Sequence, residues 1–322
     1  MTKPKIGLYW CAGCGGCEES VVDLAEHLLD VVGAVDIAFW PVAMDFKYSD
    51  VEALADGALA AVLINGAIRL DEQARVVTLL RRKARLVIAH GACAHLGGVV
   101  GLGNFSSRES LLDRAYAQVE TLAPGESPKA ASLVDGHPLE LPTLLPRTRS
   151  LDQVIAVDYY LPGCPPAPEN LLAAVNALVS GTLPPKGSVL GDPRSLCASC
   201  ARRESKPERI EIKAWKRPHE VALSQDTCFL AQGVLCLGPA TRGGCASRCV
   251  GGNMPCTGCY GPPDRVMEQG MKAASMVAGM SEANGSGDAE DYVASIVDPA
   301  GTFYRYSLAT SVLRGQNKKD LP

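Results

Sequence analysis

A chain of 322 residues can bury one large core or two ordinary ones, and two are expected here. It is 47% hydrophobic and 20% charged with a formal net charge of -4, which argues against wholesale disorder and against nucleic acid as a partner. Thirteen cysteines set the main question, because in a reducing compartment clustered thiols point to metal or redox chemistry rather than to disulfides.

The start, MTKPKIGLYWCAGCGG, carries neither a charged leader with an apolar run nor a twin-arginine signal, and the longest apolar stretches fall short of the roughly 20 residues that cross a bilayer. A cytoplasmic protein without direct membrane insertion is expected. Residues 5–10, 34–39, 59–65, 85–90 and 153–160 are short apolar or β-branched runs bounded by turn residues and are predicted as strands. Segments 19–32, 71–84 and 167–181 carry helical periodicity, the last starting after prolines and stopping at Gly181. Strands alternating with helices predict an α/β domain with a parallel sheet over residues 1–185. The proline-bearing stretch 104–150 reads as an irregular surface excursion.

Eight of the thirteen cysteines fall between residues 197 and 259. Residues 186–265 therefore read as a small cysteine-rich domain that cannot build a large core unaided, with bound metal as its organiser. Residues 266–322 read as a C-terminal helix and tail: the helix begins at about 264 and runs to 280, and a polar linker over 281–291 and a mobile end, QNKKDLP, follow.

Four cysteines of the first domain lie just after predicted strands: Cys14 and Cys17 in WCAGCGGCEES, Cys93 in HGACAHLGG, and Cys164 in LPGCPP. Loops at the carboxyl ends of parallel strands line one crevice, so the four thiols should meet. Four thiolates suit a four-iron cluster or a structural zinc, and the surrounding glycines let backbone approach closely. Burial of cysteines as small hydrophobes is the plainer alternative, but it does not require one shared edge. Cys11 is the spare, either a cluster neighbour or a partly buried free thiol.

In the second set, Cys197 and Cys200 form a CxxC, followed by Cys228, Cys236, Cys245, Cys249, Cys256 and Cys259. Eight thiolates are what two four-iron clusters require. Zinc ribbons also use CxxC pairs, but two zinc knuckles leave the thiols of the sheet domain unexplained. Spacing does not divide the eight between two sites. GVVGLGN lacks the βαβ setting of a dinucleotide loop and reads as glycine loop around the first site. No nucleophile with base and orienter stands out, so no catalytic residue is assigned.

CGGCEES, GACAHLGG and PGCPP resemble, in order and context, the proximal-cluster loops of nickel-iron hydrogenase small subunits, which share a flavodoxin-like domain with the 20 kDa subunit of respiratory complex I. The CxxC of the first loop, in place of adjacent cysteines, favours the hydrogenase branch. GPATRGGCASRC and MPCTGCYGP resemble the cytoplasmic methyl-viologen-reducing, F420-non-reducing type associated with heterodisulfide reductase. The resemblance implies that Cys14, Cys17, Cys93 and Cys164 hold a proximal 4Fe-4S cluster, that the eight later cysteines hold two more, and that the nickel-iron centre sits in a separate large subunit. It also implies that a ferredoxin-like adaptor and a heterodisulfide-reductase-type flavoprotein complex receive the electrons. Eight cysteines leave no need for His219 as a ligand; His90 and His95 flank Cys93 as loop histidines. Two alternatives remain: an electron wire serving a large subunit without nickel-iron, and a zinc-stabilised interaction protein.

Overall fold

A computed structural model describes residues 3–121, 128–282 and 286–313. Five parallel strands form the central sheet: β1 (Lys5–Trp10), β2 (Asp36–Phe39), β3 (Leu59–Asn65), β4 (Ala84–His90) and β5 (Tyr159–Leu161), in the order β2-β1-β3-β4-β5. This is the doubly wound order of flavodoxin-like domains. Every residue of β3 is buried, as a continuous apolar run in the middle of a covered parallel sheet should be. Its alternate side chains feed two cores: Val62 and Ile64 pack with Phe39, Val77 and Leu80, while Ala61 and Leu63 pack with Ile6, Ile88 and Leu171.

Register fixes the site. Trp10 pairs with Asn65, Asn65 with His90, and His90 with Leu161, so four strands end in one row and their following loops leave from one edge.

The helices α1 (Gly16–Val22), α2 (His27–Ala34), α3 (Asp71–Lys83), α4 (Ala92–Leu96), α5 (Pro168–Ser180) and α6 (Gln269–Ala278) flank or follow the sheet. The predicted helix 19–32 is two helices, broken where Ala25 takes a left-handed φ of 51°. Most of the predicted strand 153–160 is a turn after a short 3-10 segment, Leu151–Gln153, and only Tyr159–Leu161 pairs. The excursion 104–150 is more ordered than expected. It holds a helix, Arg108–Tyr116, a hairpin of Ala131–Val134 with His137–Glu140, and Leu144–Arg149 paired antiparallel with Ile68–Leu70.

Beyond residue 190 regular structure gives way to short turns, yet a third core forms. Leu196, Trp215, Phe229, Leu230, Val234 and Leu237 are buried with Ala273, Val277, Tyr292 and Phe303. The cysteine-rich segment thus gains a hydrophobic core by recruiting residues that follow it, which its own composition does not reveal. Part of the expected linker is helical (Ser286–Ala294), while residues 283–285 and the QNKKDLP end lie outside the described residues. Among the described residues no helix is long and apolar enough to cross a membrane.

Candidate functional site: three groups of four thiols

The first group is assembled by three strand-end loops. After β1, Gly15 adopts φ 88° at the start of α1, which brings Cys14 and Cys17 onto one turn, and the Gly16 N–H points at Cys14 Sγ at 3.4 Å. After β4, Gly91 (φ 89°) turns the chain into α4, whose first turn carries Cys93. The Gly91 N–H donates to Leu161 O (2.8 Å) and the Ala92 N–H to Gly163 O (2.6 Å), lacing the Cys93 loop to the Cys164 loop. Two glycines are required by the sulfurs themselves: a Cβ at Gly91 would collide with Cys17 Sγ, and one at Gly98 with Cys93 Sγ.

The thiols perturb one another's protonation, as close neighbours do. Burial, then the neighbouring Cys93, Cys164 and Cys14, pushes the Cys17 thiol far up; burial, then Cys164 and Cys14, pushes Cys93 up to about 12. Crowded thiols of this kind give up their protons when a cation enters, so metal and proton occupancy are coupled.

The eight later cysteines form two overlapping neighbourhoods, an outer group around Cys197, Cys200, Cys228 and Cys236 and a middle group around Cys245, Cys249, Cys256 and Cys259, with Cys256 next to both. The Cys197 thiol is raised to about 12 by burial, then by Cys236, Cys200 and Cys228, against a lowering by Lys206. Cys236 is raised by burial and by Cys228 and Cys200. The Cys259 thiol is raised to about 12 by burial, then by Cys164, Cys245 and Cys249, and Cys256 is raised by burial, Cys236 and Cys259. Cys245, Cys249, Cys256 and Cys259 also line one cavity of about 220 Å³ together with Cys164. The three groups adjoin in succession. Cys164 and Cys259 join the sheet group to the middle one, and the Cys256 N–H, 3.4 Å from Cys236 Sγ, joins the middle group to the outer one. Among the described residues, no three His, Cys, Asp or Glu side chains converge tightly enough to hold a single metal ion.

Cys11 stands apart, 5% exposed in the core beneath β1, with its thiol pushed up by burial alone. His90 is fully buried beside Ser20 Oγ (3.3 Å), and burial lowers it to about 4. His95 packs against Tyr160 with the rings tilted and their centroids 4.6 Å apart, and burial, then Arg242, lowers it to about 3. His219 is exposed on a short turn, Pro218–Glu220.

Several supporting residues escaped the sequence reading. Glu18, next to Cys17, is buried and accepts hydrogen bonds from Trp40 Nε1 and Asn65 Nδ2, which lower a carboxyl that burial raises more. Arg202 is buried over the Phe229 ring (4.1 Å) and donates to Ser224 O (3.0 Å), Thr227 O (3.2 Å) and Asn253 Oδ1 (2.7 Å), tying together the loops of the outer and middle groups. Tyr260 Oη accepts from the Ala167 N–H (3.0 Å), anchoring the Cys259 loop to the start of α5. None of these has a sequence signal beyond standing beside a cysteine motif.

Residues 14–178 match the NADH ubiquinone oxidoreductase 20 kDa subunit family. The chain is 37% identical over 276 residues to the F420-non-reducing hydrogenase iron-sulfur subunit of Archaeoglobus profundus, covering 84% of this chain and 86% of that one. It is 36% identical over 322 residues to an F420-non-reducing hydrogenase subunit of Methanothermobacter marburgensis, covering 99% and 98%. The fold is that of the [NiFeSe] hydrogenase of Desulfovibrio vulgaris Hildenborough, with a TM-score of 0.52 at 17% identity over 82% of this chain and 95% of that one. With its strand-end thiols on a domain of the 20 kDa type and near full-length likeness to these archaeal subunits, the chain belongs to the small-subunit family of nickel-iron hydrogenases, in its F420-non-reducing branch.

Proposed function

We propose that the chain is the electron-relay subunit of a cytoplasmic nickel-iron hydrogenase, with three 4Fe-4S clusters of its own and the hydrogen-activating metal in a separate large subunit. What carries the reading is geometric: three strand-end loops bring Cys14, Cys17, Cys93 and Cys164 to one sheet edge, and Cys164 lines one cavity with Cys245, Cys249, Cys256 and Cys259. Cys14, Cys17, Cys93 and Cys164 would hold the proximal cluster, Cys245, Cys249, Cys256 and Cys259 the middle one, and Cys197, Cys200, Cys228 and Cys236 the outer one. A third thiol site in the sheet domain, beside the eight later cysteines, supports a chain of multi-iron groups over zinc knuckles. The clusters, when bound, supply one-electron carriage between the two ends of the line.

The chain's own residues do the rest. Gly91 and Gly98 leave room at Cys17 and Cys93, and Arg202 and Tyr260 tie the loops together. A working division near residue 185 separates the proximal ligands from the other eight. By family likeness, the acceptor beyond the outer group is a ferredoxin-like adaptor feeding a heterodisulfide-reductase-type flavoprotein complex.

The test is anaerobic iron, sulfide and nickel analysis of the chain with its co-purifying large subunit, with paramagnetic resonance under hydrogen. About twelve irons in this chain are expected, with nickel in the partner and signals that grow under hydrogen. Zinc without iron, or one cluster only, would overturn the reading.

A further inference from the structure

The first and middle thiol groups meet at a junction braced by a tyrosine on each side. On the Cys164 side, Tyr260 Oη accepts from the Ala167 N–H (3.0 Å) and from Asn170 Nδ2 (3.2 Å). On the Cys93 side stands Tyr306, 49 residues beyond the Thr257 it touches. The Tyr306 carbonyl accepts the Gly98 N–H (3.0 Å), and Gly98 lies against Cys93 Sγ. Its hydroxyl meets Thr257 Oγ1 (3.1 Å), and Thr257 sits inside the turn from Cys256 to Cys259. One residue thus grips a loop of the first group by its main chain and a loop of the middle group by its side chain.

The segment around it is pinned. Phe303, Leu308 and Ala309 are buried, Gln153 Nε2 donates to Ala309 O (2.9 Å), and the Val312 N–H donates to Glu268 Oε2 (2.9 Å). Ala309 also fills the space that a Cβ at Gly97 would need. Tyr306 is therefore held from behind and does not follow a shift of either cysteine loop. Its phenol lies within the electrostatic reach of both groups. Burial raises it most, the Thr257 hydrogen bond lowers it, and Cys259 and then Cys164 raise it further. The hydroxyl stays neutral, and neutral hydrogen-bonding groups beside cluster sulfurs favour the more negative, reduced state.

We infer that Tyr306 is a positioning residue of the relay: its bond to Thr257 fixes the spacing of the first and middle groups and biases the middle one toward reduction, which sets the electron step between them. The inference rests on the relay reading above. Tyr306 supplies no ligand and takes no electron itself; it acts through the loops it joins.

The experiment uses the complete complex with its large subunit, kept anaerobic. Tyr306→Phe removes the hydroxyl but keeps the ring and the main-chain bond to Gly98. Thr257→Val removes the other hydroxyl, and Thr257→Ser keeps it. Three quantities are read: iron content, the reduction potential of each cluster by titration followed with paramagnetic resonance, and the magnetic splitting between neighbouring reduced clusters, which depends on their separation. Tyr306→Phe and Thr257→Val should each keep about twelve irons, lower the potential of the middle cluster, leave that of the outer cluster unchanged and alter the splitting between the first and middle clusters. Each should also slow reduction of the outer group under hydrogen by about tenfold. The double variant should be no worse than either single one, because both lose the same bond, and Thr257→Ser should match the native complex. Unchanged potentials and splitting in Tyr306→Phe and Thr257→Val would overturn the positioning role and leave the relay standing. So would a shift in Thr257→Ser as large as in Thr257→Val, or loss of iron in Tyr306→Phe beside a native-like Thr257→Val, since either would trace the effect to packing alone. A native complex without the first and middle clusters would overturn the relay itself and this inference with it.

Discussion

Cys164 and Cys259, from opposite halves of the chain, line the same cavity, and of the neighbouring thiols Cys164 raises Cys259 most, after burial. This is where the sheet domain and the cysteine-rich segment share chemistry. Cys259→Ser should remove about four of roughly twelve irons and stop the outer group from being reduced under hydrogen, read by iron analysis and paramagnetic resonance. Cys164→Ser should also cost about four irons but should abolish hydrogen-driven reduction of everything beyond it. Full reduction of the outer group in either variant would contradict a linear relay.

Gly91 and Gly98 give a sharper test of the proximal group, because neither residue supplies a ligand. Gly91→Ala places a methyl group on Cys17 Sγ at φ 89°, and Gly98→Ala places one on Cys93 Sγ at φ 61°. Both variants should lose the proximal cluster selectively, with iron falling by about a third while the other two groups fill. Unchanged iron would show that the loop rearranges freely.

Cys11 should behave as a core residue. Cys11→Ala should leave the iron content and the viologen rate unchanged and should lower stability by about 1 kcal/mol through lost packing. Loss of iron in that variant would make Cys11 a ligand after all.

Acid should weaken the fold through the buried histidines. His90 falls from its usual 6.5 to about 4 and His95 to about 3, both chiefly through burial, so the folded state holds them neutral while the unfolded state binds their protons. Stability from these sites is complete above pH 6.5 and declines as pH falls toward 4 and 3. Urea midpoints at stepped pH should drop across this window, and His90→Gln should show a shallower drop than the native chain. Parallel curves would mean that His90 takes up no proton on unfolding.

Much of the sheet was legible because its signals are local. KIGLYW and LAAVLIN read as strands with the bounds they adopt, and Gly181 stops α5 with φ 69° as a terminal glycine should. The break in the 19–32 helix was not legible, since Ala25 carries no mark of a left-handed residue. Residues 153–160 misled because Ile155 is buried by packing under a turn rather than by pairing in a strand. At the site, the convergence of Cys14, Cys17, Cys93 and Cys164 followed from sheet topology. Which of the later eight thiols are neighbours did not, because it depends on how loops fold across Arg202 and Phe229, and spacing carries no record of that.

The final described residues return to the sheet. The Gly98 N–H donates to Tyr306 O (3.0 Å), Gln153 Nε2 donates to Ala309 O (2.9 Å), and the Tyr306 hydroxyl meets Thr257 Oγ1 (3.1 Å). The loop behind Cys93 is therefore completed by chain that is synthesised long after it. Contacts of such long sequence separation form late in folding. A chain stalled before residue 304 would leave the Cys93 loop without these partners, so the thiols of the sheet edge reach their final setting only once nearly the whole chain has been made.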